Sequence, residues 1–239
     1  MTEPAAAPPV PSYGVIDHYL GSKGEQYFDW QGRPGILQGR WNRHLWAPHI
    51  RSDDDVLDFG CGGGFLLRVL DARARIGVEV NPAAARRARS LGIVTYTTLA
   101  EVPGTFDRII TSHVLEHIPH PRQALVELRD RLRDAESRLL ILLPLDDWRN
   151  RANRRYARTD QNQHLHAWTP QTLGNLLASS GLDVLDVQIV REAWPPGSAL
   201  LWKISPGLFR AAARVWARVA RRYQLFAVCR LPPAARAAP

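Results

Sequence analysis

The chain has 239 residues, of which 45% are hydrophobic, and a formal net charge of +8. That length and composition suffice for one α/β domain with a sizeable core. No apolar run reaches the ~20 residues of a membrane helix, and residues 1–11 lack the basic start and apolar centre of a signal peptide. The two cysteines, Cys61 and Cys229, form neither a metal-binding nor a disulfide pattern. We therefore expect a cytoplasmic protein without a metal site.

The positive charge is carried almost entirely by arginine, because all but two of the 31 basic residues are arginines. Such a bias follows from GC-rich coding, so it indicates an anionic partner only where arginines cluster, at 149–158 and 210–222. In the second cluster, an apolar stripe at helical spacing lies opposite the arginines: Leu208, Ala212, Val215, Trp216 and Val219. This stripe could pack on the sheet, on a second copy of the chain in a homodimer, or at a membrane surface.

Composition divides the chain into four parts. Residues 1–12 and 232–239 are rich in Ala and Pro and are predicted to be a disordered leader and tail. The aromatic stretch 13–50 is predicted to cover the mouth of a site. Residues 51–231 form the predicted core, which includes an acceptor-pocket insertion at 145–170 and an amphipathic basic helix at 206–222.

Strand and helix patterns alternate along the core. Strands are predicted at 54–59, 76–80, 93–97, 106–112, 138–144, 184–190 and 223–231, and helices at 63–72, 82–91 and 121–133. Asn81 before Pro82 and Thr169 before Pro170 are typical helix starts. The alternation predicts a doubly wound α/β fold with a mostly parallel sheet.

A glycine-rich turn follows the first predicted strand. Gly60, Gly62 and Gly64 alternate there, Asp58 precedes them, and Glu79 closes the next apolar run. Glycines let the backbone approach a ligand more closely than a Cβ permits, and an acid after the second strand can bind a ribose diol. The spacing differs from the G-x-G-x-x-G of dinucleotide enzymes, so the pattern predicts a different nucleotide cofactor.

These residues resemble the first two motifs of class I S-adenosylmethionine-dependent methyltransferases. The segment 106–118, with its Val114-Leu115-Glu116-His117-Ile118, and the block 164–170 resemble the small-molecule branch of that family, which includes ubiquinone/menaquinone-type enzymes and acts on metabolites, quinones, lipids and sugars. The resemblance covers residues 52–190. It implies a Rossmann-like sheet of seven strands with the last one antiparallel, and S-adenosylmethionine as cofactor.

The resemblance also implies a cofactor site. Matching each position to the family motifs assigns it Asp58, Gly60, Cys61, Gly62, Gly64, Glu79, Val80, Leu99, Ser112 and His113. Lys23 and Arg43 are further candidates for binding the carboxylate of the cofactor. Leu99 stands where many relatives carry an acid near the adenine, so only a backbone N–H and an apolar face are expected from it.

Methyl transfer from a sulfonium mainly requires alignment of a nucleophile and exclusion of water. Oxygen acceptors usually need help with deprotonation, for which histidine is suited. The catalytic candidates are His113, His164 and His166, whereas His117 is expected to be structural. Tyr27, Trp30, Arg151, Arg155 and Trp168 are the candidates for binding the acceptor.

We therefore predict O-methylation of a small-molecule acceptor, such as a sugar, a lipid-linked compound or a secondary metabolite. The arginines suit an anionic acceptor. The N-P-P-Y element of amino-directed DNA methyltransferases is absent, which argues against DNA. No RNA-binding appendage is visible, so RNA is not expected. An RNA-modifying methyltransferase and a non-catalytic cofactor-binding scaffold remain the alternatives.

Overall fold

The computed structural model describes residues 11–145 and 155–233, without the side chains of 32–36 and Gln38. Residues 1–10 of the predicted leader, 234–239 of the predicted tail and 146–154 of the predicted insertion lie outside the described residues. Among the helices that the structure describes, none is both long and apolar enough to span a bilayer.

Strands and helices alternate through most of the chain, as the sequence patterns predict. The strands are β1 Asp55–Phe59, β2 Ala74–Val78, β3 Val94–Tyr96, β4 Arg108–Ser112, β5 Arg138–Leu145, β6 Asp183–Val190 and β7 Tyr223–Arg230. The α-helices are α1 Gly21–Trp46, α2 Pro82–Ser90, α3 Pro121–Arg129, α4 Pro170–Ser179, α5 Ser198–Ile204 and α6 Pro206–Ala220. Short 3-10 helices lie at Asp17–Tyr19, Ala47–His49, Leu67–Val69, Leu99–Glu101 and Leu115–His117.

The seven strands form one sheet in the order β3-β2-β1-β4-β5-β7-β6. Neighbours from β3 through β5 are parallel, whereas β7 runs antiparallel to both β5 and β6. The chain order reverses between β1 and β4, which is where open α/β sheets collect ligands outside the carboxyl ends of their strands. The predicted doubly wound sheet with an antiparallel last strand is confirmed.

Alternating side chains of the strands supply two apolar cores, one on each face of the sheet. On β5, Leu139, Ile141 and Leu143 belong to one core, and Leu140 and Leu142 belong to the other. The first core packs against α3 and α4, and the second against α1 and α2. The sheet is therefore covered on both faces, which leaves its strand ends as the place for a site.

Two helix starts have the predicted caps. The Asn81 side chain accepts hydrogen bonds from the backbone N–H groups of Ala83 and Ala84 at the start of α2. Thr169 and Thr172 form a reciprocal capping box at the start of α4. Each cap satisfies donors that the first helical turn leaves without a partner.

The predicted helix at 63–72 is wrong. That stretch forms a tight turn and the single 3-10 turn Leu67–Val69. Gly64 adopts a φ of +72°, which a right-handed helix does not allow, and consecutive glycines are poor helix formers. The helix predicted at 121–133 also ends early, at Arg129, because the chain then turns to bridge Leu132 with Phe106.

Candidate active site

A cavity of about 1370 Å³ opens at the carboxyl ends of the parallel strands. It is lined by the last residues of β1, β2, β4 and β5, which are Phe59, Val78, Ser112 and Leu145. Part of α1, residues from the segment 155–167, the chain after β6 and the start of β7 also line it. This volume exceeds a typical single-ligand pocket, so it has room for a cofactor together with an acceptor.

The glycine turn forms the floor of this cavity. The N–H groups of Gly60 and Cys61 both donate to the carbonyl of Val78, at 2.8 and 3.0 Å, which ties the turn to β2. A Cβ on Gly60 would lie 2.2 Å from Val114, whereas one on Gly62 would meet nothing within 4 Å. Gly60 is therefore required by packing, and Gly62 leaves open space on the cavity side.

Glu79 is bound to the glycine turn by its carboxylate. One oxygen accepts the N–H of Gly62 and the other accepts the N–H of Asn81, each at 2.8 Å. Burial raises the pKa of Glu79, and the N–H groups of Asn81, Gly62 and Val80 oppose that rise. The two hydrogen bonds hold the Glu79 carboxylate in one orientation, directly after the end of β2.

Asp58 is the buried acid of the site. Burial, and then the negative charge of Glu79, raise the pKa of Asp58 to about 8. Its Oδ1 has no hydrogen-bond partner among the described residues. A buried carboxyl group of this kind gains most from a cationic ligand, because the ligand restores the lost solvation.

The predicted cofactor residues fall into two groups. Those that line the cavity are Asp58, Gly60, Cys61, Gly62, Glu79, Val80, Ser112 and His113. Gly64 instead packs against Ala88 and Ile93, and Leu99 is 1% exposed in the core, so neither is among the described residues that line it. The apolar side chain of Leu99 is therefore not offered to the cavity, and the expected contribution of its backbone N–H stays a prediction.

Lys23 and Arg43 also lie elsewhere. Lys23 is exposed on α1, and the Nε of Arg43 donates to the carbonyl of Val69 at 2.8 Å. Neither is among the described residues that line the cavity. The helix presents other side chains to the cavity, including Tyr27, Phe28 and Asn42.

A cluster of imidazoles around a buried carboxylate lines the same cavity as the glycine turn. Nδ1 of His113 is 3.4 Å from Oε1 of Glu116, and Nε2 of His117 is 3.8 Å from the same oxygen. The ring of His164 lies 4.8 Å from that of His117, and the Tyr19 hydroxyl is 2.6 Å from Nδ1 of His117. His113 adopts a φ of +55° after β4, which turns it toward this cluster.

Glu116 and His117 differ in how readily each becomes charged. Burial alone would raise the pKa of Glu116, but the contact with His113 and the charges of His117 and His113 outweigh it and lower this pKa. Burial lowers the pKa of His117 to about 4 despite the attraction of Glu116. At neutral pH, Glu116 is therefore ionised and His117 is neutral.

The same cluster holds a set of atoms that could bind a cation. Glu116, His117 and His164 each present one ligand atom, and these atoms lie within 4.8 Å of one another. Two imidazoles and a carboxylate match the ligand set of open zinc sites. This arrangement was not expected from the sequence, because the residues do not follow a recognisable metal-binding spacing.

The predicted acceptor residues are spread over the molecule. Tyr27 and Arg155 line the cavity, Trp30 is 51% exposed, and Arg151 lies outside the described residues. Trp168 is a correction, because it is 7% exposed within the apolar core and is not among the described residues that line the cavity. Its ring packs within that core, although its Nε1 has no hydrogen-bond partner among the described residues.

His166 has a structural hydrogen bond although it reaches the cavity wall. Its Nε2 lies 2.9 Å from the carbonyl oxygen of Ile118. Because a carbonyl only accepts, Nε2 must carry the proton of this bond. The bond connects the block before α4 to the turn after β4.

Comparison with known proteins identifies the family. A family model described as a methyltransferase domain matches residues 35–187, which is more than half of the chain. The chain belongs to this methyltransferase family. It is an S-adenosylmethionine-dependent methyltransferase, as the glycine turn and its two acids predict.

The methyltransferase resembles proteins with different acceptors. It is 26% identical to the ubiquinone biosynthesis O-methyltransferase of Roseobacter denitrificans over 63% of this chain and 68% of that protein. It is 30% identical to the tRNA U34 carboxymethyltransferase of Tolumonas auensis, over 45% of this chain but only 37% of that protein. A Thermotoga maritima S-adenosylmethionine-dependent methyltransferase shares the fold, with a TM-score of 0.55, 18% identity, and coverage of 72% of this chain and 82% of that one.

The residues around the cavity fit this cofactor. S-adenosylmethionine carries an ammonium group and a ribose diol, and the methyltransferase offers the unpartnered Oδ1 of Asp58 and the carboxylate of Glu79. Gly62 provides open space between them. When bound, the cofactor supplies an electrophilic methyl group.

Sequence reasoning missed part of the site of this methyltransferase. Tyr19, Glu116 and His117 were not predicted to be site residues, although all three line the cavity. The available signal was the short segment after β4, in which Glu116 stands between His113 and His117. Three titratable side chains so close together are unusual for a purely structural turn.

Proposed function

We propose that this methyltransferase transfers a methyl group to a hydroxyl of a small-molecule acceptor. The observation that carries the proposal is that a single cavity joins the glycine turn, with Asp58 and Glu79, to the imidazole cluster of His113, His117 and His164. A hydroxyl placed between these two walls has a methyl donor on one side and proton acceptors on the other. The O-methyltransferase relative from Roseobacter denitrificans supports this acceptor atom.

Among the three histidines predicted from the sequence, His164 is our choice of general base. His113 lies between Gln224 at 2.9 Å and Glu116 at 3.4 Å, so both of its ring nitrogens face acceptors. His166 is bound to Ile118. His164 lines the cavity, and its ring lies 4.8 Å from that of His117, so we assign the general base to this position.

The acceptor we propose is anionic and small, with a sugar, a lipid-linked compound or a secondary metabolite as the candidate classes. Arg155 lines the same cavity and could bind a phosphate or carboxylate. Tyr27 adds an aromatic wall, and its pKa is raised by burial, so its hydroxyl stays protonated.

The test is an S-adenosylhomocysteine release assay with hydroxyl acceptors, each offered with and without a phosphate or carboxylate group. For the acceptor that reacts, His164→Gln should lower kcat by about 100-fold or more, because general base catalysis typically contributes that much. His120→Gln is the control, since His120 is exposed at the start of α3. Methylation of amines only, or an unchanged kcat in His164→Gln, would overturn the proposal.

RNA modification is a second candidate, favoured by the similarity to a tRNA carboxymethyltransferase. It predicts binding of tRNA that weakens steeply with salt, since each phosphate contact releases counterions. Filter binding at two salt concentrations distinguishes it from the small-molecule proposal. A methyltransferase that accepts small hydroxyl compounds and ignores tRNA excludes this alternative.

A further inference from the structure

The layer formed by α5 and α6 carries an outward apolar stripe. On α6, Phe209, Ala213 and Ala217 face the protein and are buried. Leu208, Val215 and Val219 lie on the opposite side of the helix, and Val215 and Val219 are 59% and 68% exposed. Exposed aliphatic residues continue on α5 with Leu200 and Ile204. A helix that buries one face and exposes a second apolar face requires an explanation.

The arginines of α6 form a row beside this stripe. Arg210, Arg214 and Arg218 follow one another at intervals of four residues, which places them along one flank of the helix, and all three are exposed. Lys203, Arg221 and Arg222 add to the positive charge of the layer. No Asp or Glu occurs in the sequence after Glu192. Glu192, which precedes the layer, lies 3.2 Å from Nε of Arg214, whereas α5 and α6 themselves carry exposed aliphatic side chains and cations but no acid.

We propose that α5 and α6 form a docking surface for the headgroup region of an anionic phospholipid bilayer. Interfacial helices combine an apolar face, which enters the acyl boundary, with Lys and Arg that meet anionic headgroups. Leu208, Val215 and Val219 supply the first feature, and the arginine row supplies the second. The aliphatic side chains thus match the acyl boundary of such a bilayer, and the arginines match its anionic headgroups.

Two other occupants fit the surface less well. In a symmetric dimer the same patch meets itself, so two rows of arginine would face each other with no acid on α5 or α6 to balance them. Single-stranded nucleic acid binds surfaces where aromatic side chains accompany the cations, whereas the exposed residues here are aliphatic.

The docking surface is continuous with the wall of the cavity. The chain enters the layer through Glu192, Ala193 and Trp194 and leaves it at 222–224, and both connections line the cavity. Phe209 of α6 also lies 5.0 Å, between ring centroids, from Trp41 of α1. If the proposed function holds, docking would bring the cavity close to acceptors that reside in the membrane.

Vesicle flotation tests the docking without cofactor or acceptor, so its failure leaves the proposed O-methylation intact. The full chain should float with vesicles of phosphatidylcholine containing about 30% phosphatidylglycerol, and much less with phosphatidylcholine alone. The double variant Val215→Ser/Val219→Ser should bind about tenfold more weakly, since it removes apolar area without lowering helix propensity. Arg218→Gln should weaken binding by about fivefold.

Matched controls lie away from the surface. Val94→Ser changes a valine of similar exposure on β3, and Arg87→Gln changes an exposed arginine on α2, so both should float like the wild type. A wild type that stays with the unbound fraction overturns the proposal, as does binding that depends on Arg218 but not on the valines. A concentration-dependent dimer in analytical ultracentrifugation that the valine variant disrupts would assign the surface to a second copy and also overturn it.

Discussion

The environment of Asp58 differs strongly from that of a free side chain. Its pKa of about 8 lies far above the ordinary value of a carboxyl group because it is buried and faces Glu79. An acid whose folded pKa is raised stabilises the fold fully at low pH, and this contribution is lost as pH rises from about 4, the unfolded value, to about 8.

The Asp58→Asn variant should therefore remove a pH dependence. At about pH 3.5 it should unfold at a similar denaturant concentration to the wild type, and at about pH 8.5 it should be the more stable of the two by at least about 1 kcal/mol. Urea unfolding at both pH values measures this. Parallel stability profiles for the two proteins would contradict the raised pKa.

Glu79 provides the second prediction at this scale. Replacing it by alanine removes the acceptor of two backbone N–H groups and the carboxylate proposed to bind the ribose. S-adenosylhomocysteine should bind at least about tenfold more weakly, equivalent to ~1.4 kcal/mol. Isothermal titration calorimetry measures the affinity.

Its control is Glu101→Ala. Glu101 also accepts a backbone N–H, from Thr97, but it is exposed and is not among the described residues that line the cavity. This variant should bind the ligand with wild-type affinity. Equal losses in the two variants would show that Glu79 acts only through the fold.

At the scale of the element, substitutions in the glycine turn should distinguish a glycine required for packing from a glycine near the ligand. Gly60→Ala places a Cβ 2.2 Å from Val114 and should destabilise the protein by roughly 1–3 kcal/mol. In Gly62→Ala the added Cβ has no atom within 4 Å, but alanine must adopt the left-handed backbone conformation of Gly62, which costs roughly 1–2 kcal/mol. Its Cβ should also obstruct the cavity, so affinity for S-adenosylhomocysteine should fall.

Gly92→Ala is the matched control for Gly62→Ala. Gly92 likewise has a positive φ, of +79°, and no atom within 4 Å of an added Cβ, but it lies after α2 on the surface. Thermal unfolding should show similar destabilisation in both variants, and calorimetry should show weaker binding only in Gly62→Ala. Unchanged affinity in Gly62→Ala would remove this glycine from the cofactor site.

Elements differed in how well sequence patterns predicted them. The strands were predicted well because each is an apolar run bounded by turn residues. The helix predicted after the glycine turn failed because apolar spacing cannot report the positive φ of Gly64. On α6 the stripe containing Leu208, Val215 and Val219 was correctly periodic, yet the fold buries Phe209, Ala213 and Ala217 on the opposite side of the helix. Periodicity identifies an apolar face but not its partner.

At the scale of the whole molecule, ligand binding should stabilise the fold. The cavity is formed by segments from α1, the ends of β1, β2 and β4, and the chain around β6 and β7, so its occupant holds distant parts together. S-adenosylhomocysteine at about 100 times its Kd should add about 2.7 kcal/mol to the free energy of unfolding. For a domain of this size, the Tm should rise by about 5–10 °C, measured by calorimetric melting. A folded protein whose Tm does not respond would contradict the cofactor site.

The sequence by itself determined the family, the mostly parallel sheet and the acids of the cofactor site. These follow from local features: the period of apolar residues, glycines that permit a left-handed turn, an acid near the end of the first strand and another directly after the second. Only the tertiary structure brought Tyr19, from before α1, and His164, from before α4, to the Glu116–His117 turn. It also showed that the side chains of Leu99 and Trp168, which were predicted to line the site, are buried in the core. Such contacts depend on how strands and helices pack across the sheet, and no local pattern encodes that packing.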